Sequence, residues 1–177
     1  MTPHFEQDFF SLFGLPSTFR IDVPVLERAY LDLQAQVHPD RFAHLSDSEK
    51  RLSMQWATRV NEGYQTLKDP LKRAVYLLSL QQTALQAETN TAMPPVFLME
   101  QMEWREAVEE ARSAGDVDEL DALLHRSRLR RKAMVGELEQ LLDDTRDYAG
   151  GAELARKLMF VEKLEHDIAE AIEALEQ

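Results

Sequence analysis

The chain contains no cysteine, so disulfides, thiolate metal sites and cysteine nucleophiles are all excluded. That absence fits a reducing compartment. Long apolar runs are missing too. None approaches the roughly 18 residues needed to span a bilayer, and the longest, Ala74 to Leu80, is interrupted by Ser79. Basic residues are absent before Arg20, while Glu6 and Asp8 are present. The start therefore lacks the character of a secretory signal or a transit peptide, and a cytoplasmic protein is expected. Proline is absent after Pro95. No Gly-rich phosphate loop, nucleophile elbow or paired catalytic carboxylate occurs, so neither an enzyme nor a cofactor is expected.

What is present is the composition of a soluble globular protein. The 177 residues are 44% hydrophobic and 29% charged, enough for one or two domains that each bury a core. The net charge of −12 is unevenly spread. Residues 1–80 hold 9 Lys and Arg against 10 Asp and Glu, and residues 81–177 hold 11 against 22. This asymmetry suggests two modules, and the acidic second one argues against nucleic acid or anionic membrane as partner.

Apolar spacing of three and four recurs almost throughout, which predicts an all-α protein. A short helix covers about Asp8 to Phe13 and is stopped by Gly14 and Pro16. A second starts after the N-cap candidate Asp22, with Pro24 in its first turn and a stripe of Leu26, Ala29, Tyr30, Leu33 and Val37. Pro39 ends it, placing His38 and Asp40 at the mouth of a loop running to about Asp47. Ser46 and Glu49 form a capping-box pattern for a third helix carrying Leu52, Ala57, Val60, Tyr64 and Leu67. A further short helix, Leu71 to Leu80, comes after the Asp69-Pro70 pair. The expected domains are 1–80, a polar linker 81–95, and 96–177. The last is read as three antiparallel helices, about Val96 to Ser113, Val117 to Tyr148 and Ala152 to Glu176, separated by Gly115 and by Gly150-Gly151.

His38-Pro39-Asp40 arises by chance in roughly 1% of chains of this length. Alone it also reads as a plain turn in which Pro39 breaks the helix and Asp40 caps a neighbour. Its place, between two amphipathic helices, is more telling. Beyond Pro95 the helical angles carry a second signal. Phe97, Trp104, Val108 and Ala111 fall within about 40° of one direction, whereas Leu98, Met102, Glu106, Met99, Glu110 and Glu103 lie at about 100° to 240° from it. Three apolar side chains flanked by three glutamates thus face away from the core. Such a patch serves a partner or packs beneath the first domain, and geometry alone leaves both open. Phe160 lies about 100° off the last helix's stripe of Leu154, Leu158, Val161, Ile168 and Ile172.

Asp22 through Phe42 resembles the second helix and loop of a J domain. Val60 through Pro70, with Arg73 and Tyr76, resembles the end of the third J-domain helix and the segment after it. More narrowly, the segments from Phe10 to Pro16, Ala74 to Leu80, Phe97 to Gln101 and Ala155 to Phe160 resemble the HscB family, J-type co-chaperones of iron–sulfur cluster assembly. The resemblance covers nearly the whole chain. It implies an L-shaped pairing of an N-terminal J domain with a C-terminal three-helix bundle. It also implies that His38, Pro39 and Asp40 stimulate the ATPase of the DnaK-type chaperone HscA. By position, Leu98, Met99, Met102, Glu103, Glu106, Glu110 and Phe160 match the residues that bind the iron–sulfur scaffold IscU. A monomer is the expected state. One departure stands out: residues 24–38 hold Arg28 alone against Glu27 and Asp32. J-domain second helices are often strongly basic, so modest affinity for the chaperone alone is expected, with Arg41, Lys50 and Arg51 contributing.

Other signals carry less. Arg126, Arg128, Arg130, Arg131 and Lys132 scatter around their helix and are expected to bridge to neighbouring helices rather than bind nucleic acid. His38, Asp40 and His44 make no recognised metal pattern, so no metal is expected.

Overall fold

The computed structural model describes residues 7–37, 46–82 and 93–176. Regular structure among them is entirely helical, as the apolar spacing requires. The elements are α1 (Phe9–Leu12), α2 (Val23–Val37), α3 (Asp47–Lys68), α4 (Pro70–Leu80), α5 (Pro95–Ala114), α6 (Val117–Glu139) and α7 (Tyr148–Glu176), with a π-helical turn, Gln140–Asp144, closing α6. The chain divides into two compact units, 1–77 and 78–177, and the division falls inside α4. The expected linker, 81–95, comes after it; of that stretch 83–92 lie outside the described residues, and Met93 is buried.

The first unit rests on the pairing of α2 with α3. Asp22 starts α2 by accepting the Val25 amide at 3.1 Å, and the stripe Leu26, Ala29, Tyr30, Leu33 and Val37 is buried or half-buried. Tyr30 stacks on Tyr64 of α3 with centroids 4.0 Å apart, and its hydroxyl donates to Asn61. The capping box at Ser46 and Glu49 is present, and its hydrogen bonds hold the Glu49 carboxyl below its usual range. The expected stripe of α3 holds except at Leu52, which is exposed, while Ser53 and Gly63 are buried. Short α1 closes the unit. Asp8 caps it by accepting the Ser11 amide, and the Phe9 amide donates to the Tyr76 hydroxyl at 2.9 Å. Phe10, Phe19, Leu26, Val60 and Leu67 are almost fully enclosed, each contributing about 1.5–3 kcal/mol.

In the second unit α5, α6 and α7 pack on one another. Gly115 ends α5 in the left-handed conformation, φ 67°, and Asp116 caps α6 by accepting the Glu119 amide. So tight a connection turns α6 back along α5. Val108, Ala111, Leu120, Leu123, Leu124, Leu164, Ile168 and Ala171 form the core, with Trp104 and Ile172 against it. Two of the clustered arginines bridge to neighbouring helices, Arg130 to Glu100 at 2.7 Å and Arg131 to Glu165 at 3.1 Å. Arg126 instead pairs with Glu119 within α6.

The boundary between the last two helices differs from the expected one. Gly150 and Gly151 lie inside the first turn of α7, and the break falls at Thr145–Asp147, where Arg146 takes φ 54°. Asp147 starts α7 by accepting the Gly150 amide at 2.9 Å. Gly151 is there for closeness: a β-carbon on it would sit 2.6 Å from Leu142. The glycines mark contact rather than a turn.

Gly63 poses the same constraint in the first unit, because a β-carbon there would lie 2.9 Å from both Phe9 and Phe13. In an open helix Gly63→Ala would gain up to about 1 kcal/mol. Against two rigid rings it should instead cost about 1–3 kcal/mol, read as a lower urea midpoint at unchanged slope.

Candidate partner-binding surfaces

The tripeptide His38-Pro39-Asp40, with Arg41, Phe42 and His44, lies outside the described residues. The residues on either side of that stretch are held firmly. Val37, the last residue of α2, is buried, and its carbonyl accepts a hydrogen bond from the buried Ser53 hydroxyl at 2.9 Å. The carbonyls at a helix C-terminus lack intrahelical donors, so a side chain of α3 supplies one here. Ser46, with its cap on α3, resumes the chain on the far side. Acidic Glu27 on α2 lies 3.8 Å from Lys68 of α3. Lys68 also donates to the Tyr64 hydroxyl, and that bond first, then Tyr64's charge and Glu27, raise its pKa.

The second surface is formed by α5 and α7. Phe97, Val108 and Ala111 are buried and Trp104 half-buried, so the core stripe is the expected one. The opposite face is open: Leu98 is 41% exposed, Met99 63% and Met102 60%. Glu103, Glu106 and Glu110 are exposed beside them. Phe160 of α7 is 37% exposed and meets Phe97, at the start of α5, edge to face with centroids 6.0 Å apart. The Arg130 guanidinium lies over the Phe97 ring, 5.7 Å from its centroid, and also pairs with Glu100. The structure therefore brings all seven residues expected to bind the scaffold onto one unit, with the apolar members solvent-exposed.

Residues 93–169 match the family model described as the HSCB C-terminal oligomerisation domain. A relative from Aromatoleum aromaticum, named co-chaperone protein HscB homolog, is 60% identical over 176 residues, 99% of each chain. Another of that name, from Azoarcus sp. strain BH72, is 60% identical over 171 residues, 97% of each. The chain belongs to the HscB co-chaperone family. Chaperone HscB from Vibrio cholerae matches its structure with a TM-score of 0.84 at 35% identity, covering 96% of this chain and 99% of that one. Human co-chaperone protein HscB matches at 0.88 and 30%, covering 95% and 83%.

Within this HscB-family chain, sequence reasoning missed parts of the surface. Val96 is 78% exposed and stands one turn before Met99; its angle, about 100° from Phe97 on the side opposite Leu98, was the available signal. Exposed Met159 beside Phe160 was also passed over. Gln101 is buried in the core stripe, although its amide type suggests a surface residue. Among the described residues no cluster of His, Asp and Glu gathers to hold a metal, and no helix is long and apolar enough to cross a membrane.

The Ser53 bond can be tested alone. Ser53→Ala leaves the Val37 carbonyl without its α3 donor, which should cost about 1–2 kcal/mol. Urea unfolding measures it; an unchanged midpoint would mean that water replaces the hydroxyl without loss.

Proposed function

We propose that this co-chaperone binds the iron–sulfur scaffold IscU through α5 and Phe160, presents it to the DnaK-type chaperone HscA, and stimulates HscA ATPase through His38, Pro39 and Asp40. Cluster transfer and maturation of iron–sulfur proteins result from that coupling. The observation that carries the reading is the exposed apolar face of Leu98, Met99 and Met102, rimmed by glutamates and extended by Phe160. A large apolar patch left in water on an otherwise well-buried helix marks an interaction site, and methionine adapts to a mating surface.

In this reading the protein does no bond chemistry itself. It shifts HscA toward its hydrolysis-competent conformation, so its effect is a coupling free energy exerted on another protein. The scaffold, held on the second unit, adds its own differential contacts with the chaperone.

Two variants separate the functions. His38→Gln should abolish ATPase stimulation in a single-turnover assay and leave IscU binding intact by calorimetry; loss of both would overturn the division into two sites. Leu98→Ala with Met102→Ala should do the reverse, each substitution costing roughly 1–2 kcal/mol of scaffold binding while basal stimulation is spared. If IscU adds nothing to stimulation by the wild-type protein, a general J-protein without a dedicated client becomes the better reading.

A further inference from the structure

The apolar face continues, by helical spacing, into a groove of different character. Three residues on from Met102 along α5 comes Arg105, and three on from Phe160 along α7 comes Lys163, each one turn further on the same side of its helix. Both line an open groove of about 670 Å³ between α5 and α7, floored by Val108, Leu164 and Ala171. By helical angle the α5 wall is centred about 70° from Phe97, the flank on which Leu98 lies.

The charges in the groove are not all equivalent. Glu109 lies 3.8 Å from Arg112, and Glu170 lies 3.3 Å from His166. Glu109 and Asp167 stand one turn beyond Arg105 and Lys163, on the side away from the apolar face, and neither closes an ion pair with them. Among the described residues no carboxylate comes within 4.0 Å of either cation. Two cations without a direct ion pair thus stand at the end of the groove next to the patch, in a chain of net charge −12, while Glu109, Asp167 and Glu170 line the groove beyond them. The apolar stripe therefore has glutamates along one border, at about 180–240°, and Arg105 at the other, at about 80°, with Lys163 lining the same groove from α7 and Glu109 one turn further along α5. Opposite signs on opposite borders fix the orientation of whatever docks between them.

We infer that Arg105 and Lys163 form the cationic border of the scaffold-docking surface and take a carboxylate of the scaffold next to its apolar contact residues. This inference rests on the scaffold-binding reading and deepens it. The scaffold is the occupant because the groove is continuous with the face already assigned to it. The glutamate border calls for basic groups on the same scaffold segment, so the bound segment is oppositely charged at its two edges.

The test is calorimetry of IscU with the full-length protein at about 50 mM and about 300 mM salt, comparing wild type with Arg105→Glu/Lys163→Glu, Arg105→Gln/Lys163→Gln and Leu98→Ala/Met102→Ala. Charge reversal should weaken binding about tenfold or more at low salt, neutralisation by less, and both penalties should shrink at high salt as screening shortens the reach of charge. Both cations are exposed, so thermal unfolding and scaffold-free ATPase stimulation should match wild type. If the reversed variant binds like wild type while Leu98→Ala/Met102→Ala is weakened, the cationic border is wrong and the apolar site stands. If both bind like wild type, the scaffold reading fails as well. A penalty unchanged by salt would mean that charge is not the cause. A shift in the protein's own sedimentation on charge reversal would assign the border to a second copy and overturn the inference.

Discussion

The edge-to-face contact between Phe97 and Phe160 determines how the start of α5 lies against α7, and the exposed surface of the second unit depends on it. A helix in a three-helix bundle can bury only one stripe. Once Phe97 is held by contacts with Phe160 and the Arg130 guanidinium, the stripe through Val108 and Ala111 is committed to the core. Leu98, Met99 and Met102 then have no interior left to enter. Their exposure is a consequence of the packing register, and an exposed apolar patch of this kind is a usual feature of interaction sites. Arg130 supports the arrangement from α6, since its ion pair with Glu100 and its place over Phe97 restrain the same turn of α5.

Much of this was legible because it rests on local chemistry. Asp22 and Ser46 announce helix starts through a side-chain oxygen with an amide in reach, and Gly115 announces an end. The two faces of α5 follow from angles alone. Gly150 and Gly151 were misleading for a physical reason. Glycine serves turns and close approaches equally, and only the position of Leu142, fixed by tertiary packing, tells which. Leu52 and Gln101 exchange the environments their side chains suggest, because the neighbours that cover or expose them come from distant segments. The cationic border was likewise invisible, since Arg105 and Lys163 are 58 positions apart and meet only across the groove.

The first unit shows a different economy. It is small, and its rigidity comes from cross-helix polar contacts layered on a few aromatic residues: Tyr30 on Tyr64, Tyr30 to Asn61, Lys68 to Glu27 and Tyr64, and Ser53 to Val37. The last of these bears on function by position in the chain. Val37 immediately precedes His38, and the backbone there is tied by its carbonyl to α3. In the proposed function, a His38-Pro39-Asp40 trigger docking on another protein would lose affinity for every freedom its support retained. An anchored exit from α2 reduces that loss.

The scarcity of basic residues on α2, Arg28 alone against Glu27 and Asp32, then has a consistent physical consequence. With Glu27 engaged by Lys68, the helix carries no strong net charge, so in the proposed function long-range steering would contribute little to docking on a chaperone. The second unit offers the compensation. In the proposed function, a scaffold held between a glutamate border and a cationic border would arrive in one orientation, and its own contacts with the chaperone would be made from a tethered position, where effective concentration replaces intrinsic affinity. On that proposal a weak trigger and an oriented client belong together: the weaker the first unit's grip alone, the more strictly stimulation would depend on the scaffold being present.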